Sequence, residues 1–203
     1  MRDKRLDRRD RLAWLVGAVV LALLTLPARA EIPEQAGQWQ REVTRAVQAE
    51  HGLSGPVALH GALIHQESRW RPDAESPVGA QGLAQIMPQT AEHIGELVGE
   101  PVDPLDPRQA IRAMSAYTAW LHGQIDAADR WAMTLSAYNG GIGWLQRDRA
   151  QADDPARWWC SVEGVQTRGD AAQEENRDYV REVMLRYQGR YLRAGWRGPE
   201  VRR

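Results

Sequence analysis

The side chains best placed for chemistry gather between Ala62 and Met87, ALIHQESRWRPDAESPVGAQGLAQIM. An apolar segment ends there in a single carboxylate, Glu67, followed directly by Ser68. A loop rich in Pro, Gly and Ser comes next, and then Gly82-Leu83-Ala84-Gln85-Ile86-Met87-Pro88. Glu67 lies four residues after Leu63 and three after Ile64, at the edge of the apolar face those residues define on a helix. A carboxyl at that edge loses part of its hydration, which favours its neutral form and raises its pKa. Such a group can give a proton near neutral pH and take it back, the work of a general acid–base. The nearest other acids, Asp73 and Glu75, sit in the loop, where a carboxylate is more often simply solvated. His60 and His65 do not make the His-Glu-x-x-His pattern of a zinc site, so neither a metal nor a cofactor is expected.

The elements that must hold Glu67 read as helices. Trp39, Val43, Ala46 and Val47 form one stripe over Gln38–Glu50, which His51-Gly52 ends. Ser54-Gly55-Pro56 opens the helix that carries Glu67. Pro88 starts another through about Val98, and Asp106-Pro107 reads as a cap plus first residue of a long helix reaching Ile125. Arg130 to Asn139 follows, stopped by Gly140-Gly141. Residues 149–173 have no clear period and read as an irregular insertion, before a last helix from about Asn176 to Arg193. No convincing strand and no repeat is visible, so the expected class is mainly α, with one globular domain over residues 31–203.

Four separated segments together resemble the soluble lytic transglycosylase (SLT) domains of glycoside hydrolase family 23, relatives of goose-type lysozyme. ALIHQESRW is similar to that family's Glu-Ser pair at a helix end, and SPVGAQGLAQIMP to its GLMQLMP motif. SAYNGG is similar to AYNAG, and EENRDYV to E-T-R-x-Y-V. Order and spacing also agree, over roughly residues 53–192. The chain departs from these motifs at Ala84 (usually Met), Gly140 (usually Ala), Ile142 (commonly Pro) and Asn176 (usually Thr).

The resemblance implies a lysozyme-like fold and cleavage of the MurNAc–GlcNAc β-1,4 bond of peptidoglycan with formation of 1,6-anhydro-MurNAc. It implies Glu67 as the sole catalytic acid–base, with Ser68 and Tyr138 positioning its carboxyl and Glu175 supporting the site from below. Tyr179 would pack beside it. Ser76 would help hold the N-acetyl group, while Gln85, Met87, Ala137 and Asn139 would line the sugar groove. Most glycosidases use two carboxylates, with substrate-assisted families among the exceptions. One buried acid suffices if the substrate's own 2-acetamido oxygen shields the anomeric carbon. A lysozyme-type hydrolase of the same bond, and an inactive wall-binding component of a secretion or conjugation machine, are the competing readings.

The first thirty residues read differently from the rest. A basic leader, the apolar run Leu12–Leu26, and Ala28-Arg29-Ala30 give the order of a secretory signal peptide cut after Ala30, with an uncleaved anchor as the alternative. Export to the periplasm is therefore expected, with membrane contact only through that segment if it stays uncleaved. The remaining 19 basic and 24 acidic residues give a formal net charge of −5, which offers no electrostatic footprint for nucleic acid. The expected partner is the peptidoglycan glycan strand, and an envelope-spanning secretion or conjugation apparatus is a candidate second partner. Cys160 is the only Cys, so no intramolecular disulfide can form, and it reads best as a small buried residue.

Overall fold

The helix that carries Glu67 is apolar almost all round, which is the signature of a helix buried on every side. In the computed structural model, which describes residues 32–165 and 167–202, this helix sits at the centre. It is α2 (Val57–Ser68), and every residue from Val57 to His65 is buried. The single apolar face expected from Leu63 and Ile64 is thus exceeded, because neighbours cover the other faces too. The expected signal peptide lies outside the described residues. Among those described, no helix is long and apolar enough to cross a membrane.

The neighbours are mostly amphipathic. Helix α1 (Ala36–His51) turns Val43, Ala46 and Val47 inward and packs on α2 and on α4 (Pro107–Gly123). Asp106 caps α4 as its position before Pro107 implies, accepting from the amides of Arg108 at 2.8 Å and Gln109 at 3.0 Å. Helix α3 (Pro88–Val98) lies on α4, and α5 (Arg130–Gly140) packs against α4 as well. No strand is present among the described residues; only isolated bridges join Glu75 to Gln81 and Gln81 to Ile86. The mainly α class expected from the sequence is what the chain adopts.

The segment expected to be irregular is narrower than 149–173. Helix α6 (Ile142–Gln151) occupies its start, α7 (Asp170–Arg181) its end, and a 3₁₀ turn, Val162–Gly164, lies between. The first turn of α7, Asp170-Ala171-Ala172-Gln173, carries no large apolar side chain and so shows no apolar period, which hid it. After α7 the helix continues through a π-helical turn (Glu182–Tyr187) into α8 (Gln188–Arg193), and both stretches pack on α2. Within the narrowed segment Trp158 is fully buried, its amide donating to Asp129 at 2.9 Å. Cys160 corrects another expectation: it is exposed, because its backbone takes a left-handed φ of 64° that turns it away from the two buried tryptophans before it.

Candidate active site

Helix α2 stops abruptly just after Glu67. Arg69 and Trp70 both take left-handed backbone, φ 52° and 65°, and the buried Trp70 indole N–H donates to the Tyr191 hydroxyl at 2.5 Å. That reversal leaves Glu67 on the last turn, half-buried, and leads the chain into the loop of residues 74–87.

The loop is held by its own hydrogen bonds. Gly82 donates to the Ala74 carbonyl at 2.8 Å, and Gln81 and Ile86 exchange both backbone bonds at 3.0 and 3.1 Å. Gly82 has φ +73°, and a β-carbon there would fall 1.7 Å from the Pro104 carbonyl oxygen, so only glycine fits. Ser68 and Tyr138 then pin the loop from two helices. The Ser68 hydroxyl donates to Leu83 O and the Tyr138 hydroxyl to Ala84 O, each at 2.8 Å. These residues meet beside Glu67, yet their hydroxyls serve the loop and not its carboxyl. Ala84 is fully buried under that contact.

The hydrogen bond to the Glu67 carboxyl comes from Tyr179 on α7, whose hydroxyl donates to Oε1. The sequence placed Tyr179 only as packing. Burial pushes the Glu67 pKa up to about 8, and the Tyr179 bond, which favours the charged form, only partly offsets this. Burial and the nearby carboxyl raise the Tyr138 and Tyr179 hydroxyls far above their usual range, so both remain neutral donors. At neutral pH the site therefore holds a protonated carboxyl among neutral phenols. That is the state a general acid requires.

Glu175 does not join this cluster. On α7, Asn176 and Tyr179 are three residues apart and both face inward, which rotates Glu175 out to solvent. The inward place belongs to the buried Asn176, whose Nδ2 donates to Asn139 Oδ1 at 2.7 Å and to Ser136 O at 3.0 Å. Asn139 is exposed at the end of α5, and Ala137 is buried. Ser76 is half-buried, its Oγ accepting the Ala80 amide at 2.9 Å. Gln85 takes φ 47° and spends its amide N–H groups on Ala74 O and Gly82 O, so it shapes the loop from within. Met87 is 39 % exposed at the start of α3.

The sequence reading also missed Tyr117 and Trp120. They sit one helical turn apart on α4, half-exposed and stacked with ring centroids 5.8 Å apart, and Tyr117 meets Tyr138 at 5.7 Å. A row of aromatic faces thus leads away from Tyr138; the three-residue spacing of Tyr117 and Trp120 was its only signal in the sequence. Trp70 and Trp158, in contrast, are committed to the core.

Residues 46–159 match the family model described as Transglycosylase SLT domain. The chain is 38% identical over 114 residues to membrane-bound lytic murein transglycosylase F 2 of Alkalilimnicola ehrlichii, covering 54% of this chain and 24% of that protein. It is 40% identical over 91 residues to membrane-bound lytic murein transglycosylase F of Haemophilus influenzae, covering 43% of this chain and 18% of the relative. The chain thus spans about a quarter or less of these curated relatives. Among solved structures, an inactive variant of lytic transglycosylase Slt from Pseudomonas aeruginosa superposes with a TM-score of 0.59 at 24% identity, covering 97% of this chain and 32% of that one. That likeness establishes the lysozyme-like helical fold.

Proposed function

The chain belongs to the transglycosylase SLT domain family, and from that premise we propose that it is a peptidoglycan lytic transglycosylase with Glu67 as its only acid–base. The observation that carries this reading is one carboxyl, pushed up to a pKa of about 8, with a single tyrosine donor. Protonated Glu67 gives its proton to the glycosidic oxygen as the bond from C1 of MurNAc to that oxygen breaks. The substrate's acetamido oxygen shields C1. The Glu67 carboxylate then takes the proton of the C6 hydroxyl while O6 bonds to C1, closing the 1,6-anhydro ring. One bond breaks, one forms, a proton passes from O6 to the leaving oxygen, and no water is consumed.

Ser76, Gln85, Met87, Ala137 and Asn139 are proposed to border the glycan groove, with Gln85 and Ala137 acting by shaping it. Ser68 and Tyr138 hold the loop that forms its wall. Glu175 takes no part in this version of the site. Action on the wall requires export, which the leader supports, and we propose the periplasm as the place of action. Export also brings the domain beside envelope-spanning secretion or conjugation machines, which stand as candidate partners.

Mass spectrometry of digested sacculi tests the proposal. Anhydro-MurNAc ends, lighter by one water than reducing ends, are the expected products. Reducing MurNAc as the main product would replace the lyase with a lysozyme-type hydrolase. Binding of sacculi without any release would leave an inactive wall-binding component.

A further inference from the structure

The end of α5 leaves almost no free space. A β-carbon added at Gly140 would lie 2.2 Å from Nη1 of Arg168 and 2.9 Å from Nδ2 of Asn176. Arg168 comes from the segment that precedes α7, and its side chain is only 8% exposed. Its Nη2 donates to Asp148 Oδ2 at 3.3 Å and its Nε to Gln173 Oε1 at 3.2 Å. Asp148 is completely buried on α6, and it also accepts from the Thr167 hydroxyl. The guanidinium cannot swing aside without stranding a buried carboxylate, a costly outcome. Arg168 is therefore a fixed wall against Gly140.

On the other side of Gly140, Asn176 is held equally firmly. Its Oδ1 accepts from the Ser136 hydroxyl at 2.6 Å, and its Nδ2 bridges Ser136 O and Asn139 Oδ1. The bond from Asn176 takes one lone pair of Asn139 Oδ1 and so orients the exposed amide, placing its N–H donors on the side away from Asn176.

We infer that Arg168 is a positioning residue: packed with Asn176 around Gly140, it fixes the Asn139 amide so that its N–H donors face the groove. The recognised group would then be a hydrogen-bond acceptor on the glycan, such as an acetamido or lactyl carbonyl oxygen. The acceptor's identity rests on the proposed function; the orientation of the amide does not.

The full chain is compared as wild type, Arg168→Ala, Gly140→Ala and the double variant. Each single change is expected to raise KM for solubilised glycan strands about five-fold, the loss of one well-placed hydrogen bond. The pH dependence of kcat, set at Glu67, should not move. In the Arg168→Ala background, Gly140→Ala should add less than it does alone, because the 2.2 Å clash with the guanidinium is gone and only the 2.9 Å approach to Asn176 remains. The Asn139 side-chain amide resonances of ¹⁵N-labelled protein should shift in both single variants. Arg168→Gln with Asp148→Asn, which replaces the ion pair by a neutral one, supplies the same readouts if Arg168→Ala does not fold. An Asn139 resonance that stays in place overturns the inference, as does unchanged KM in an active enzyme or full additivity in the double variant. If the wild type cleaves no glycan, the proposed function fails, and the resonance alone decides the positioning role.

Discussion

Two titratable groups on helix α2, His60 and Glu67, lie seven residues apart, and desolvation holds both neutral. At His60 it lowers the pKa to about 3; at Glu67 it raises the pKa to about 8. The difference lies in what surrounds them. Both His60 nitrogens are occupied, Nδ1 by the Pro56 carbonyl and Nε2 by the Thr118 hydroxyl, each at 3.0 Å. The carbonyl fixes the proton on Nδ1, and the ring is packed among His51 and Trp131. Glu67 has one donor, an opening to solvent at the helix end, and an acidic proton left to give. Burial alone therefore does not make a functional group; burial with unmet hydrogen-bonding capacity and access does.

The most severe way to test that contrast is Glu67→Gln, which keeps the shape and removes the proton. Glycan release should fall at least about 10³-fold. Stability should move the other way. Folded Glu67 stays neutral up to about pH 8, whereas an unfolded Glu ionises near 4.5. Between these values the unfolded chain has released a proton that the fold retains, so wild-type stability falls as pH rises through this window. The Gln variant does not titrate, and at pH 8 it should exceed wild type by roughly 2–4 kcal/mol, discounted for the partial exposure of the residue. At pH 4.5 the gap should vanish. Urea unfolding at both pH values measures this; a constant difference would show that Glu67 is not held neutral.

Tyr179→Phe sharpens the same comparison by making Glu67 still less well partnered. The lost bond favours the carboxylate, so the pKa of Glu67 should rise further and the alkaline limb of kcat/KM should shift upward by roughly one unit. The rate at neutral pH should fall about ten-fold as the carboxyl loses its orientation. A pH–rate profile with an unmoved alkaline limb would assign Tyr179 to packing alone.

Much of the fold is legible in the sequence, and less of the site. The mainly α class, the cap at Asp106 and the position of Glu67 at the edge of an apolar face follow from local periodicity and capping. The site partners followed less well. Glu175 and Asn176 are adjacent in sequence, and only the phase of α7 against α5 decides which faces in. Ser68 and Tyr138 carry hydroxyls whose reach to Leu83 or Ala84 carbonyls depends on how the loop folds back. Gly140, which reads as a departure from a motif, proves to be closed in by Asn176, itself such a departure, and by Arg168 from a segment without period. Tertiary contacts of this kind leave no local pattern.

The gentlest perturbation acts at the other end of α2. His60→Gln should leave glycan release unchanged, because its hydrogen-bond partners, Pro56 and Thr118, are not partners of the Glu67 carboxyl. Its effect belongs to stability. Folded His60 refuses a proton down to about pH 3, while an unfolded His takes one near 6.5. In that window the unfolded state binds the extra proton, so stability falls as pH is lowered. His122, lowered to about 4, and His51 act in the same direction and preserve part of the slope. The variant should lose about 1–2 kcal/mol at pH 7, where packing and the Thr118 bond are disturbed. Toward pH 4 it should close on wild type, since it has no imidazole to protonate. Denaturation midpoints across pH 4–7 follow this convergence. Loss of glycan release in a folded His60→Gln protein would break the comparison, because it would place the two ends of α2 in one functional unit.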